Sequence, residues 1–222
     1  MITLEKSGDV FILHMVAGEN RYNAQFISSF NQALDEVERS QGPAALVTVG
    51  ENKFYSNGLD LDWMNQQSPA VLREHVDNVH KTMLRVLTLP MITVAALNGH
   101  VFAAGAMVAL AHDFRVMRAD RGYFCLPEAD IKIPFTKSMD ALLRACLPVA
   151  TAREAMCTAK RYGAIEAVEQ QIVHHAVAEN EVLPKAVEIA QSLAAKDRET
   201  LSVIKRRMYA EVIEVFKNDV PE

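Results

Sequence analysis

Two short stretches carry residue types and spacings that could hold a developing negative charge. One is KFYSNGLDL, Lys53 to Leu61, and the other is NGHVFAAGAMVALAHDF, Asn98 to Phe114. At Gly58-Leu59 and at Ala104-Gly105 the small residues let a ligand oxygen approach main-chain N–H groups. A helix beginning at such a turn adds its partial positive charge. A pair of N–H groups drawn from separate loops is the usual construction of an oxyanion hole. Taken singly, each stretch also reads as an ordinary turn. Ser56-Asn57-Gly58 brings a hydroxyl, but without the strand, G-x-S-x-G and helix context of a nucleophile elbow. The seven histidines show no metal spacing beyond the adjacent His174-His175, whose side chains point to opposite faces of a strand, so no metal is expected. Cys125, Cys146 and Cys157 are odd in number, widely spaced and set in apolar surroundings, and read as reduced core residues.

The elements that must position these loops fit within 222 residues, half of them apolar, enough for a substantial core in one large domain or one domain with an appendage. A net charge of −5 offers no footprint for a nucleic-acid partner. Basic character is local: Lys205, Arg206 and Arg207 form either a solvated helix face or an anion site. His112, Asp113 and Arg115 interrupt the longest apolar stretch, so no membrane span is expected. The start, MITLEKSGDVFILHMV, lacks a basic n-region and a cleavage site, and the final VPE matches no tripeptide address. A soluble intracellular protein is expected.

Strands are predicted at Asp9–Val16, Ala44–Gly50 and Met91–Leu97, and again in FRVMRA and YFCL. From Asn23, Phe26, Phe30, Leu34 and Val37 recur at helical steps. A second amphipathic helix starts near Pro69, with Leu72, Val76, Val79, Met83 and Leu87 on one stripe, and ends at Pro90. The 98–112 segment is expected to turn directly into a helix. Alternating strands and helices imply an α/β fold with βαβ-type crossovers and a largely buried sheet. After about Thr136 the pattern is nearly all helix, which divides the chain into an α/β core, residues 1–147, and a helical region, residues 148–222. No internal sequence repeat is visible.

With the strands placed, both loops lie beyond strand carboxyl ends, where open α/β sheets bind ligands. The order and spacing of FYSNGLDL, ITVAALNGHVFAAGAMVALAHDFRVM and FCLPEADIKI then resemble the crotonase superfamily, the enoyl-CoA hydratase and isomerase group, from the N-terminal strand to about residue 150. The resemblance implies a core of repeated ββα units (a ββα superhelix) and a helical C-terminal region that builds homotrimers or hexamers. It implies an acyl-CoA thioester substrate whose coenzyme A is the only cofactor-like group. Two backbone N–H groups of such proteins hold the thioester oxygen, and these fall here at Leu59, after Gly58, and at Ala104, before Gly105.

Hydratases of the superfamily use two glutamates. Matched residue by residue, the first position is occupied by Met107 and the second by Glu128 in LPEADIKI. A lone carboxylate beside an oxyanion hole resembles the short Δ3-Δ2-enoyl-CoA isomerases. The segment PFTKSMDALLRACL lacks the Gly-Gly turn common in hydratases, which points the same way. Hydration needs water held and deprotonated while the α-carbon gains a proton, work for two carboxyl groups. Moving a double bond from C3 to C2 needs one proton taken from C2 and returned at C4, for which one mobile base suffices. Met107 would keep the pocket dry and raise the pKa of Glu128. Read without the resemblance, Glu128 is a turn carboxylate and Met107 a core residue.

The resemblance also makes Tyr22, Asn23 and Ala24 candidates for contact with the CoA adenine, and Lys205 and Arg206 candidates for a CoA phosphate. Ser56 and Phe102 belong to the same pocket motifs, and Trp63 either lines the acyl tunnel or packs on the core. His112-Asp113 corresponds to a core-packing pair rather than part of a nucleophile triad. Alternatives are a hydratase or other lyase in which Asp130 or Asp60 supplies the second carboxylate, and a noncatalytic acyl-CoA-binding protein. The compartment implied is the cytoplasm, or the peroxisomal matrix in a eukaryote.

Overall fold

In the computed structural model, which describes residues 1–219, the chain opens with an antiparallel hairpin of β1 (Ile2–Ser7) and β2 (Val10–Met15). The final VPE lies outside the described residues. Helix α1 (Ala24–Arg39) follows, capped by Asn23, whose side chain accepts the Phe26 N–H at 3.0 Å. It buries Phe26, Phe30, Leu34 and Val37, the stripe expected from their spacing.

Three successive units then repeat one pattern, a longer strand, a short strand and a helix. The first is β3 (Ala45–Val49), β4 (Phe54–Ser56), the single turn α2 (Leu61–Met64) and α3 (Pro69–Leu87). The second is β5 (Ile92–Leu97), β6 (His100–Phe102) and α4 (Ala104–Leu110). The third is β7 (Phe114–Arg118), β8 (Phe124–Cys125) and α5 (Glu128–Ile131). The longer strands belong to a six-stranded sheet of order β1-β2-β3-β5-β7-β9, in which β9 is the later strand His175–Val177, parallel except for the hairpin. The short strands form a second, parallel sheet, β4-β6-β8. This is the ββα superhelix expected.

The remainder is helical: α6 (Lys137–Cys146), α7 (Val149–Thr158), α8 (Ala164–Glu169), then α9 (Val182–Leu193), α10 (Arg198–Met208) and α11 (Ala210–Asn218). One strand interrupts it. β9 (His175–Val177) pairs with β7 at the edge of the large sheet, through Val116 and His175. Both faces of the inner strands are covered, which is why β3 and β5 read as unbroken apolar runs. Val47, Val94, Ala96 and Val116 pack against α9 through Val182, Ala186 and Ala190, while Leu46, Ala95 and Leu97 face the larger core shared with α1, α3 and α4.

The structure adds strands that the sequence pattern did not show. β1 is largely exposed, and β6 stands between residue 98 and the helix that was expected to follow the turn directly.

Candidate active site

Strands β4, β6 and β8 are neighbours in the small sheet, with Ser56 opposite Val101 and Phe102 opposite Cys125. Because they run parallel, the residues leaving their carboxyl ends emerge side by side: Asn57-Gly58-Leu59, Ala103-Ala104 and Leu126-Pro127-Glu128. These segments converge on one cavity of about 470 Å³, whose lining includes Leu59, Phe102, Ala104, Met107 and Glu128. Four of the remaining residues around it are apolar side chains of α2, α3 and α6: Leu61, Met64, Val76 and Met139.

Two glycines set the approach of the first two loops. A Cβ on Gly58 would lie 2.8 Å from the Ala103 Cβ and 3.2 Å from the Ala104 nitrogen, and its φ of +82° is one that other residues rarely adopt. A Cβ on Gly105 would fall 2.6 Å from the Ser56 Oγ, so α4 can sit this close to β4 only with glycine there. Ser56 is fully buried and does not line the cavity. Its hydroxyl donates to the Asn20 carbonyl at 2.8 Å and accepts the Gly58 N–H at 3.2 Å, bracing the loop from behind.

The two proposed donors are both available. Around Leu59, Tyr22 N–H donates to the Gly58 carbonyl at 2.8 Å and Asp60 N–H to the Tyr22 carbonyl at 3.3 Å, a parallel bridge that turns the Leu59 N–H away from Tyr22. Ala104 opens α4, so its N–H is one of the first-turn donors a helix leaves unused. Neither amide has a protein acceptor among the described residues. Ala103, just before, holds φ +50° and ψ −127°, a strained conformation for a residue with a Cβ.

Glu128 is the first residue of α5 and only 6 % exposed. Its Oε2 is buried with no hydrogen-bond partner among the described residues. Burial away from water disfavours the charged form and raises its pKa from 4.5 to about 7. Met107, 1 % exposed, contributes an apolar side chain to the same cavity. A second carboxylate does border the cavity: Asp62 stands at its exposed rim, 2.8 Å from the Arg21 guanidinium. Asp60 is not in the lining; it caps α2 through the Trp63 N–H and accepts from the Asn23 amide. Asp130 is exposed on α5 and likewise absent from it.

The other residues singled out from the sequence are dispersed. Tyr22 is buried against the Phe26 ring at 4.9 Å, with both backbone polar groups engaged by protein. Asn23 caps α1 beside a separate depression that it shares with Arg21, Gln25 and Asp60, and Ala24 is exposed at the start of that helix. Trp63 is half-buried, packs edge-on against His75 at 4.7 Å and is absent from the cavity lining. Lys205 is not available to a phosphate: it is 3 % exposed and bonded to Asp113 at 2.7 Å and to the Met91 carbonyl at 2.8 Å. Arg206 is exposed near Leu84 and Thr88. His112 and Asp113 diverge, the imidazole to Thr48 and the Val108 carbonyl, the carboxylate to Thr93 and Lys205. No group of three or more metal-ligating side chains occurs among the described residues.

Sequence reasoning missed Arg21, Asn57 and Thr136 in the lining. Thr136 had a local signal, a threonine directly before a helical run; its hydroxyl caps α6.

A profile of the Enoyl-CoA hydratase/isomerase family matches residues 10–218. The chain is 36 % identical to the Arabidopsis thaliana protein named Enoyl-CoA delta isomerase 2, peroxisomal, over 96 % of this chain and 93 % of that one. It is equally similar, at 36 %, to Enoyl-CoA delta isomerase 3 of the same plant, over 96 % and 93 %. A crystal structure titled as a probable enoyl-CoA hydratase from Mycobacterium tuberculosis H37Rv superposes with a TM-score of 0.92 over 99 % of this chain and 92 % of that one, at 20 % identity, and so shares the fold. With three stacked ββα units carrying the loops and a match along nearly its whole length, the chain belongs to the enoyl-CoA hydratase/isomerase family.

Proposed function

We propose that this chain converts a 3-enoyl-CoA to the 2-trans-enoyl-CoA, a step of fatty-acid β-oxidation. The observation that carries the reading is a single buried carboxyl, Glu128, facing the cavity that two unused amides also border. The names of the Arabidopsis relatives support it. Glu128 takes a proton from C2 while the C2–H electron pair moves into the thioester, giving an enolate. The N–H groups of Leu59 and Ala104 hold that oxygen. The enolate then collapses as C4 accepts the proton back from Glu128, leaving the double bond between C2 and C3. No other cofactor enters; coenzyme A arrives with the substrate.

Hydration in the manner of a two-glutamate site is disfavoured, because Asp60 is spent on a helix cap, Asp130 points outside the cavity and Asp62 is an exposed rim group paired with Arg21. The proposal extends to a soluble protein of the cytoplasm or peroxisomal matrix, assembled as a homotrimer or hexamer. No helix among the described residues is long and apolar enough to cross a membrane. A 3-enoyl-CoA assay tests the activity. Growth of the conjugated-thioester absorbance supports isomerisation; its later loss as a 3-hydroxyacyl product forms identifies hydration, and saturable binding with no turnover contradicts both.

A further inference from the structure

Thr136 is the one residue of the cavity lining that carries a hydroxyl. The Thr136 Oγ1 lies 2.9 Å from the Nε2 of His80, a residue only 3 % exposed in α3. On the other side of that ring, Nδ1 faces the Asp219 Oδ2 at 4.0 Å. Asp219 is itself fixed, accepting the Ser138 N–H at 2.8 Å, and the Phe216 ring closes the pocket around the imidazole. Burial lowers the His80 pKa against the opposing pull of Asp219 and Asp77, which favours the neutral ring with one proton.

The carboxylate decides where that proton sits. An anion on the Nδ1 side favours the Nδ1–H tautomer, which leaves Nε2 as an acceptor. Thr136 must then donate its only hydroxyl proton to His80. One of its lone pairs receives the Met139 N–H at 3.3 Å as the α6 cap, and the other has no partner among the described residues. A group that reaches the Thr136 oxygen from the cavity therefore meets an acceptor only.

We propose that Thr136, with its hydroxyl turned by His80 and Asp219, is a specificity-determining residue that recognises a hydroxyl group on the acyl chain. The recognised group must donate, so an alcohol fits and a ketone at the same carbon does not. The inference rests on the acyl-CoA reading above and names the acyl class the site prefers. His80 and Asp219 are positioning residues, acting only through Thr136.

The test is calorimetric binding of saturated acyl-CoAs of one length, unsubstituted or carrying a hydroxyl or an oxo group at successive carbons from C4 to C8. At one position the hydroxy ligand is expected to bind roughly five- to tenfold tighter than both its oxo and unsubstituted counterparts. Thr136→Ser should keep that ratio and Thr136→Val should abolish it. Because each ratio is taken on one variant, a general loss of stability from the missing cap cancels. His80→Phe frees the hydroxyl proton, so the oxo ligand should gain and the hydroxy-to-oxo ratio should fall toward one. A ratio near one at every position in the unaltered protein, or a preference that survives Thr136→Val, overturns the proposal. The unsubstituted ligand separates the two readings: if it does not bind, the acyl-CoA assignment itself fails, whereas binding without discrimination removes only the role of Thr136.

Discussion

Glu128 sits where ionisation is costly, and that cost has consequences for both activity and stability. As the proposed base it must be charged, so kcat/KM on a 3-enoyl-CoA is expected to rise tenfold per pH unit below about 7 and to level off above it. The stability effect has the opposite sense. The folded chain holds the proton between the ordinary value of 4.5 and about 7, so this contribution is full below 4.5 and is lost as pH rises through about 7. Glu128→Gln, which cannot ionise, is therefore expected to raise the unfolding free energy by ~1–3 kcal/mol near pH 8, with no gain near pH 4, in urea titrations at the two pH values. The identity of this residue was legible in LPEADIKI, and its isolation was legible in Met107. The rim pair of Arg21 and Asp62 was not, because 41 residues separate the partners and neither sits in a local pattern.

The site is made by three short parallel strands, two of which left no strand signal in the sequence. Phe54–Ser56 and His100–Phe102 are too brief to show a two-residue alternation, whereas Phe124–Cys125 lies within the predicted YFCL. The longer strands were plain from their apolar runs, and the turns after the short ones from their small residues. Gly58 is the tightest joint between the loops. Gly58→Ala would push a methyl against Ala103 and the Phe102 carbonyl, separating the two amides. Losing one donor from such a hole costs about 10²- to 10³-fold in rate, and steady-state kinetics should show this in kcat more than in KM. Ala103 is the converse case. Its positive φ costs about 1–3 kcal/mol, more than the ~0.5–1 kcal/mol entropic penalty of glycine. Ala103→Gly is expected to stabilise the fold by ~1 kcal/mol in a denaturant melt.

At the scale of the whole chain, α9 is held to the large sheet by an apolar face, whereas α10 is tied to the core by charge. In α10 the helix is turned opposite to its composition: Val203 and Ile204 are 47 % and 50 % exposed while Lys205 is buried. That inversion is why Lys205 read as part of a solvated or anion-binding face, since amphipathic pattern assigns lysine to the outside. Its ammonium meets Asp113, which also accepts from the Thr93 N–H and hydroxyl, so one carboxylate joins α10 to β5. Asp113→Ala leaves a buried, unpaired cation and is expected to cost ~3–5 kcal/mol by thermal or urea unfolding. Lys205→Met, which leaves Asp113 its Thr93 partners, should cost distinctly less. The join of β9 to the large sheet was likewise hidden, because three residues inside a helical region carry no strand signal of their own.

The claim that one buried carboxyl performs the whole proton transfer is tested most directly by comparing kcat/KM on a 3-enoyl-CoA for the unaltered protein and for Glu128→Gln under the same conditions. The account predicts conversion to the conjugated thioester by the former and a loss of at least about 10²-fold in the variant, with acyl-CoA still bound. Turnover by Glu128→Gln at the unaltered rate would contradict it.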